Sequence, residues 1–218
     1  MKPVLIVSGC SITHGAELYN GFMSNENVKR SFSTTLASRM NLELRNVALS
    51  GSSNEYIFHS LMSEINRHSD IHSVIAVWTY QSRMYWKNND RHWFVLPNWA
   101  SSLSKLEDFE MHDKTVKDVW YTSDNKLMLD ELVKIHNFIV LNYFDTAEEV
   151  RKLNNYKDSL KAVCSLRGIK LINISVTDLD NRVGNWQKES RHPNLEEHGQ
   201  IADYIFNTYY REQNDNAI

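Results

Sequence analysis

The chain opens on a short unbroken run of apolar, mostly β-branched residues, Val4–Val7 in VLIVS, and repeats that texture in VIAVWT, Val74–Thr79. Runs of that length have no polar face to offer solvent, so they read as strands buried on both sides. LELRNVAL, Leu42–Leu49, begins as an alternating strand, and IKLINISV, Ile169–Val176, adds a fourth. Helical spacing lies between them. SFSTTLASRM, Ser31–Met40, carries Phe32, Leu36 and Met40 four apart. From Asn54 as N-cap, Ile57, Phe58, Leu61, Met62 and Ile65 share one helical face. Residues 125–168 read as two helices or one kinked helix ending at Gly168. A last helix after Pro193 carries Ile201, Ile205 and Tyr209 on one face. Strands alternating with helices predict an α/β chain: a three-layer α/β/α, flavodoxin-like parallel sheet of four to five strands. Residues 80–125 lack clean periodicity and are rich in aromatics, so they read as an insertion or lid after strand three, within a single domain spanning 1–218.

Bulk properties remove several function classes. A length of 218 residues suits one domain, which at this size buries roughly 70% of its unfolded surface and needs no metal or disulfide staple. The net charge of −3 gives no general attraction to nucleic acid or anionic membranes. Cys10 and Cys164 are too few for a disulfide framework and read as reduced thiols. The apolar start is too short for a signal sequence or a membrane span, so a cytoplasmic location is expected. Seven glycines are scattered without forming a phosphate-cradling loop.

In a doubly wound sheet, ligands gather beyond the carboxyl ends of the strands. Four polar stretches should meet there: Ser8–Thr13, Ser50–Asn54, Thr79–Arg83 and the loop to His192. Ser11 falls where the first strand turns into its helix, among unpaired N–H groups that favour developing negative charge. There it either caps the helix or attacks a carbonyl, and composition alone favours the cap. His192, in ESRHPNLEEHG, could serve as its base, with Glu189 three residues earlier holding the imidazole; alternatively His192-Pro193 only punctuates a loop.

GCSITHG, NVALSGSSN and ESRHPNLEEHGQIADYI resemble the first, second and fifth blocks of the SGNH (GDSL-like) hydrolases, in order and spacing, over nearly the whole chain. The resemblance implies Ser11 as nucleophile, His192 as base and Glu189 as its orienting acid. It implies an oxyanion hole lined by the backbone N–H groups of Ser11 and Gly51, and hydrolysis of an ester without metal or cofactor. The expected substrate is an O-acyl or O-acetyl group on a carbohydrate or similar small polar molecule.

Three positions depart from the family pattern. Cys10 stands where an Asp commonly precedes the serine, and Glu189 replaces the usual Asp. The third block, normally Gly-x-Asn-Asp with the Asn as a further oxyanion donor, reads VWTYQSR. Thr79, Tyr80 or Gln81 could supply a substitute donor and Arg83 a cation, with Asn54 nearby; losing such a donor costs roughly a hundred- to a thousand-fold in rate. That spelling is similar to SGNH-like proteins encoded by bacteriophages. An inactive binding or assembly domain and an acyl transferase are therefore the competing expectations. Trp78, Trp86, Trp93 and Trp99 crowd the region after strand three; they either stiffen a small satellite core or, for Trp78, Tyr80 and Trp86, border the substrate. Asp178-x-Asp180 has the form of a metal-binding triplet but is common in polar loops. His192 and His198 lack the spacing of a helical zinc pair, and His198 with Glu196–Glu197 reads as decoration of the last helix.

Overall fold

Strand β1, Val4–Ser8, is buried along its whole length. A computed structural model of the chain describes residues 2–19, 24–80, 84–88, 91–95, 145–184, 186 and 191–211. Strand β1 pairs in parallel with β2, Glu43–Asn46, on one side and with β3, Ile71–Trp78, on the other. A further parallel strand, Lys170–Ser175, joins β3 and completes a four-stranded sheet in which sequence order reverses between β1 and β3. A separate antiparallel hairpin, β4 (Met84–Asn88) and β5 (Arg91–Val95), lies within the expected insertion, which makes the parallel strand Lys170–Ser175 β6.

The alternation of side chains along β1 sorts the core into two layers. Leu5 and Val7 pack with Phe32, Leu36, Leu179, Ile201 and Ile205. Val4 and Ile6 face the other way, onto Ile57, Leu61, Ile65 and Leu160. The first layer is covered by α3 (Phe32–Arg39) and two helices late in the chain; the second by α4 (Asn54–Arg67) and the long helix Thr146–Leu166. Taken in chain order the described helices are α1 (Ser11–His14), α2 (Asn25–Arg30), α3, α4, α5 (Thr146–Leu166), α6 (Val176–Val183) and α7 (Leu195–Tyr209). Each wholly buried Leu or Ile contributes roughly 1.5–3 kcal/mol, so both layers are needed to hold the sheet between them. The predicted α/β/α arrangement is the observed one.

Three local expectations are corrected. Residues after β6 form helix α6 rather than a polar loop; Ser175 and Asp178 close its N-terminus as a capping box, and Val176 and Leu179 bury against the sheet. Ser53, not Asn54, caps α4, its side chain accepting from the Tyr56 N–H. His198 is a core residue, about 1% exposed, and not a surface decoration of α7. Its Nδ1 accepts from the Phe32 N–H at 3.1 Å, which ties α7 to α3.

Candidate active site

The turn after β1 is shaped by close approach. A Cβ on Gly9 would lie 2.1 Å from Thr13 Oγ1, so only glycine lets α1 fold back this tightly. Cys10 is the buried N-cap, and Ser11 opens the single turn of α1. At that position its N–H has no intrahelical acceptor. One turn of helix carries little macrodipole, so any anion held here would be held by the N–H groups themselves. After Gly15 the chain curls back, with the Ala16 N–H donating to Ser11 O at 2.9 Å. Glu17 follows in the left-handed region, φ 71°. For a residue with a Cβ that conformation costs on the order of 1–2 kcal/mol.

The loop after β2 docks onto this turn. Gly9 O accepts both from the Leu49 N–H at 3.1 Å and from Ser52 Oγ at 2.8 Å. Asn46 donates through Nδ2 to Thr13 O and to Ser33 Oγ, bracing α1 against α3. Gly51 has φ 80°, a conformation that glycine adopts without strain.

His192 arrives from the other end of the chain. Asn194 caps α7 through a capping box with Glu197. Arg191 grips the same Glu197 with two parallel hydrogen bonds, 2.6 and 2.7 Å, and donates to the His192 carbonyl. So anchored, His192 places Nε2 2.9 Å from Ser11 Oγ, across 181 positions of sequence. Its Nδ1 lies 2.9 Å from Glu17 Oε2. A carboxylate only accepts, so this contact puts the neutral ring's proton on Nδ1 and leaves Nε2 to accept from the Ser11 hydroxyl. The hydrogen bond from His192 holds the Glu17 carboxyl below the usual range, against the opposing effect of partial burial. Ser11 is buried, His192 partly exposed and Glu17 about half exposed, so the pair opens toward solvent.

The remaining sequence candidates divide. Gly51 sits on the docked loop described above. Asn54 braces the end of β3, where Oδ1 accepts from the Thr79 N–H at 2.8 Å while Nδ2 donates to Thr79 O at 3.1 Å. The Thr79 hydroxyl is enclosed and meets no hydrogen-bond partner among the described residues. Trp78 is a core residue rather than a border of the site, packed in the α4 layer with Nε1 donating to Asn173 Oδ1 at 3.0 Å. Tyr80, just past the end of β3, is exposed. Glu189, Gln81 and Arg83 lie outside the described residues. Glu17 was not singled out from the sequence; no motif spacing marks it, and its contact depends on a positive φ that residue type does not announce.

Among the described residues no group of three or more His, Cys, Asp or Glu side chains could hold a metal ion. Asp178 is occupied in the α6 capping box and Asp180 is buried. Among the described residues no helix is long and apolar enough to cross a membrane.

No family model and no curated protein matches the sequence. Solved structures do. The chain is similar to the psychrotrophic esterase EstA from Pseudoalteromonas sp., with 12% identity over 97% of this chain and 99% of that one, at a TM-score of 0.41. It is similar to a member of the lipolytic protein G-D-S-L family from Veillonella parvula DSM 2008, with 13% identity over 95% and 98% and a TM-score of 0.39. A family two carbohydrate esterase from Clostridium thermocellum matches at 15% identity over 94% of this chain and 64% of that one, TM-score 0.37. Likeness at this level assigns no chemistry.

Proposed function

We propose that the chain is a serine ester hydrolase of the SGNH type, organised as one domain over residues 1–218. The observation that carries this reading is the 2.9 Å contact between Ser11 Oγ and His192 Nε2. Ser11 attacks the ester carbonyl as His192 Nε2 takes its proton. The oxyanion is held by the N–H groups of Ser11 and Gly51. Collapse expels the alcohol, protonated by the imidazolium, and leaves an acyl group on Ser11. Water, deprotonated by the same nitrogen, then releases the acid and restores the hydroxyl. The substrate class is a small polar ester, an O-acyl or O-acetyl group on a carbohydrate or similar molecule.

Turnover of a simple acetyl ester tests the reading: Ser11→Ala abolishes it while the circular dichroism spectrum stays native, and undiminished turnover contradicts it. A second reading, an SGNH-like domain that binds without turnover, draws on the third block. VWTYQSR lacks the expected Asn, and the Asn54 side chain is committed to the Thr79 backbone. Under that reading a ligand binds equally well after His192→Ala and no ester is cleaved. An acyl transferase would form the same acyl-enzyme but pass the group to an acceptor hydroxyl, which product analysis with added acceptors distinguishes.

A further inference from the structure

We propose that Glu17, rather than Glu189, is the carboxylate that positions His192. Its kinetic consequence rests on the ester-hydrolase reading; its structural content does not. The Nδ1 of His192 and Glu17 Oε2 are 2.9 Å apart, within the range of a charge-assisted hydrogen bond. The single Nδ1–H is thereby directed at Glu17, and a second carboxylate crowded onto the same nitrogen would meet the like charge of the first. The acid thus comes from the same turn as the nucleophile, six positions after Ser11, and not from the segment that carries the histidine.

The backbone supports the assignment. Glu17 takes a left-handed conformation that favours glycine, yet it is a residue with a long carboxylate. Strained conformations of this kind persist where surrounding structure enforces them and gather at functional sites. Here Gly15 and the Ala16-to-Ser11 hydrogen bond set the curl that delivers the carboxylate to Nδ1. The lowered pKa of Glu17, caused first by the hydrogen bond from His192, agrees with that pairing.

Among the described residues, other charged and titratable groups near the imidazole have partners of their own. Arg191 is paired with Glu197 on the α7 side. His198, buried one turn into α7, is kept neutral with Nδ1 accepting from the Phe32 N–H; burial brings its pKa down to about 4. Among these groups Glu17 is the one whose charge lies directly against Nδ1.

Two measurements test the proposal, the first without reference to catalysis. Ring ¹⁵N NMR of His192, assigned by its loss in His192→Asn, should show the Nδ1–H tautomer in the wild type. In Glu17→Gln the ring should shift toward the Nε2–H tautomer, because an amide, unlike the carboxylate, can also donate to Nδ1. A ring unmoved by Glu17→Gln, or moved more by Glu189→Gln, overturns the proposal. The second is kcat/KM on an acetyl ester. Glu17→Gln should lower it roughly ten- to a hundred-fold; this falls short of the full general-base effect of about 10²–10⁴-fold because the carboxylate is half exposed. The loss on Glu17→Gln should exceed that on Glu189→Gln, and the reverse order overturns the proposal. NMR changes in Glu17→Gln with no turnover in the wild type would uphold the positioning role and refute the hydrolase reading, which separates the two failures.

Discussion

The turns after β1 and β3 stand side by side at the carboxyl edge of the sheet, since the two strands are paired up to Ser8 and Ala76. They are built to different ends. The β1 turn is held from behind, through the carbonyl of Gly9 and the side chain of Asn46, so the Ser11 hydroxyl points out to meet His192. The β3 turn is held from the front: Asn54 closes on both the N–H and the carbonyl of Thr79, and the hydroxyl of Thr79 is enclosed. One turn presents its Ser11 hydroxyl to His192 because its restraints lie on the carbonyl side away from it. The other, where the resemblance leads one to expect an Asn donor, is braced by a side chain whose amide oxygen and nitrogen are both engaged with the Thr79 backbone.

The comparison breaks if the first turn can be altered without consequence. Ser11→Ala should reduce acetyl-ester turnover by roughly 10³-fold or more, and His192→Ala by about 10²–10⁴-fold, with unchanged thermal unfolding in both. Steady-state kinetics beside a melting curve checks each.

The packing that delivers His192 to that turn should show in the pH dependence of stability. His198 is buried and held near pKa 4, below the ordinary value of 6.5, chiefly by desolvation. The unfolded chain therefore takes up a proton below about pH 6.5 that the fold refuses until about pH 4. Stability should fall as pH drops through that window, by roughly 3 kcal/mol for this group, and level off below it. Urea unfolding at several pH values, compared with His198→Gln, isolates the contribution; a variant with the same pH slope as the wild type contradicts it.

The second turn should behave as a structural brace. Asn54→Ala leaves a buried N–H and a buried carbonyl without partners, and should lower stability by roughly 2–3 kcal/mol in chemical denaturation. Thr79→Val removes an enclosed hydroxyl with no hydrogen-bond partner among the described residues, and should change stability by no more than about 0.5–1 kcal/mol, in either direction. A large loss of turnover in Thr79→Val with stability intact would show instead that this hydroxyl serves the reaction, and would make the two turns partners.

Much of this architecture was legible in the residues. Continuous apolar runs marked β1 and β3 as buried on both faces, and helical spacing placed α3, α4 and α7. The approach of Ser11 to His192 was legible because the blocks that carry the two residues resemble those of a known family in order and spacing. Helix α6 was missed because only Val176, Leu179 and Val183 interrupt its polar sequence, although Ser175-x-x-Asp178 carried the signature of a capping box. The cap of α4 was misplaced by one residue, and that residue decides the role of Asn54: as the first helical residue it faces Thr79 instead of the α4 backbone. Trp78 looked like part of an aromatic cluster beside the substrate, but strand alternation sends it into the α4 layer. Glu17 was illegible in principle, since its contact joins positions 175 apart through a left-handed turn.

The central claim is that the Ser11–His192 contact makes this hydroxyl a nucleophile, and covalent capture tests it most directly. Incubation with a fluorophosphonate probe, followed by mass spectrometry of the intact chain and its peptides, should give one adduct, on Ser11, formed far more slowly in His192→Ala. An adduct on another residue, or labelling of Ser11 at the same rate without the imidazole, would contradict the account.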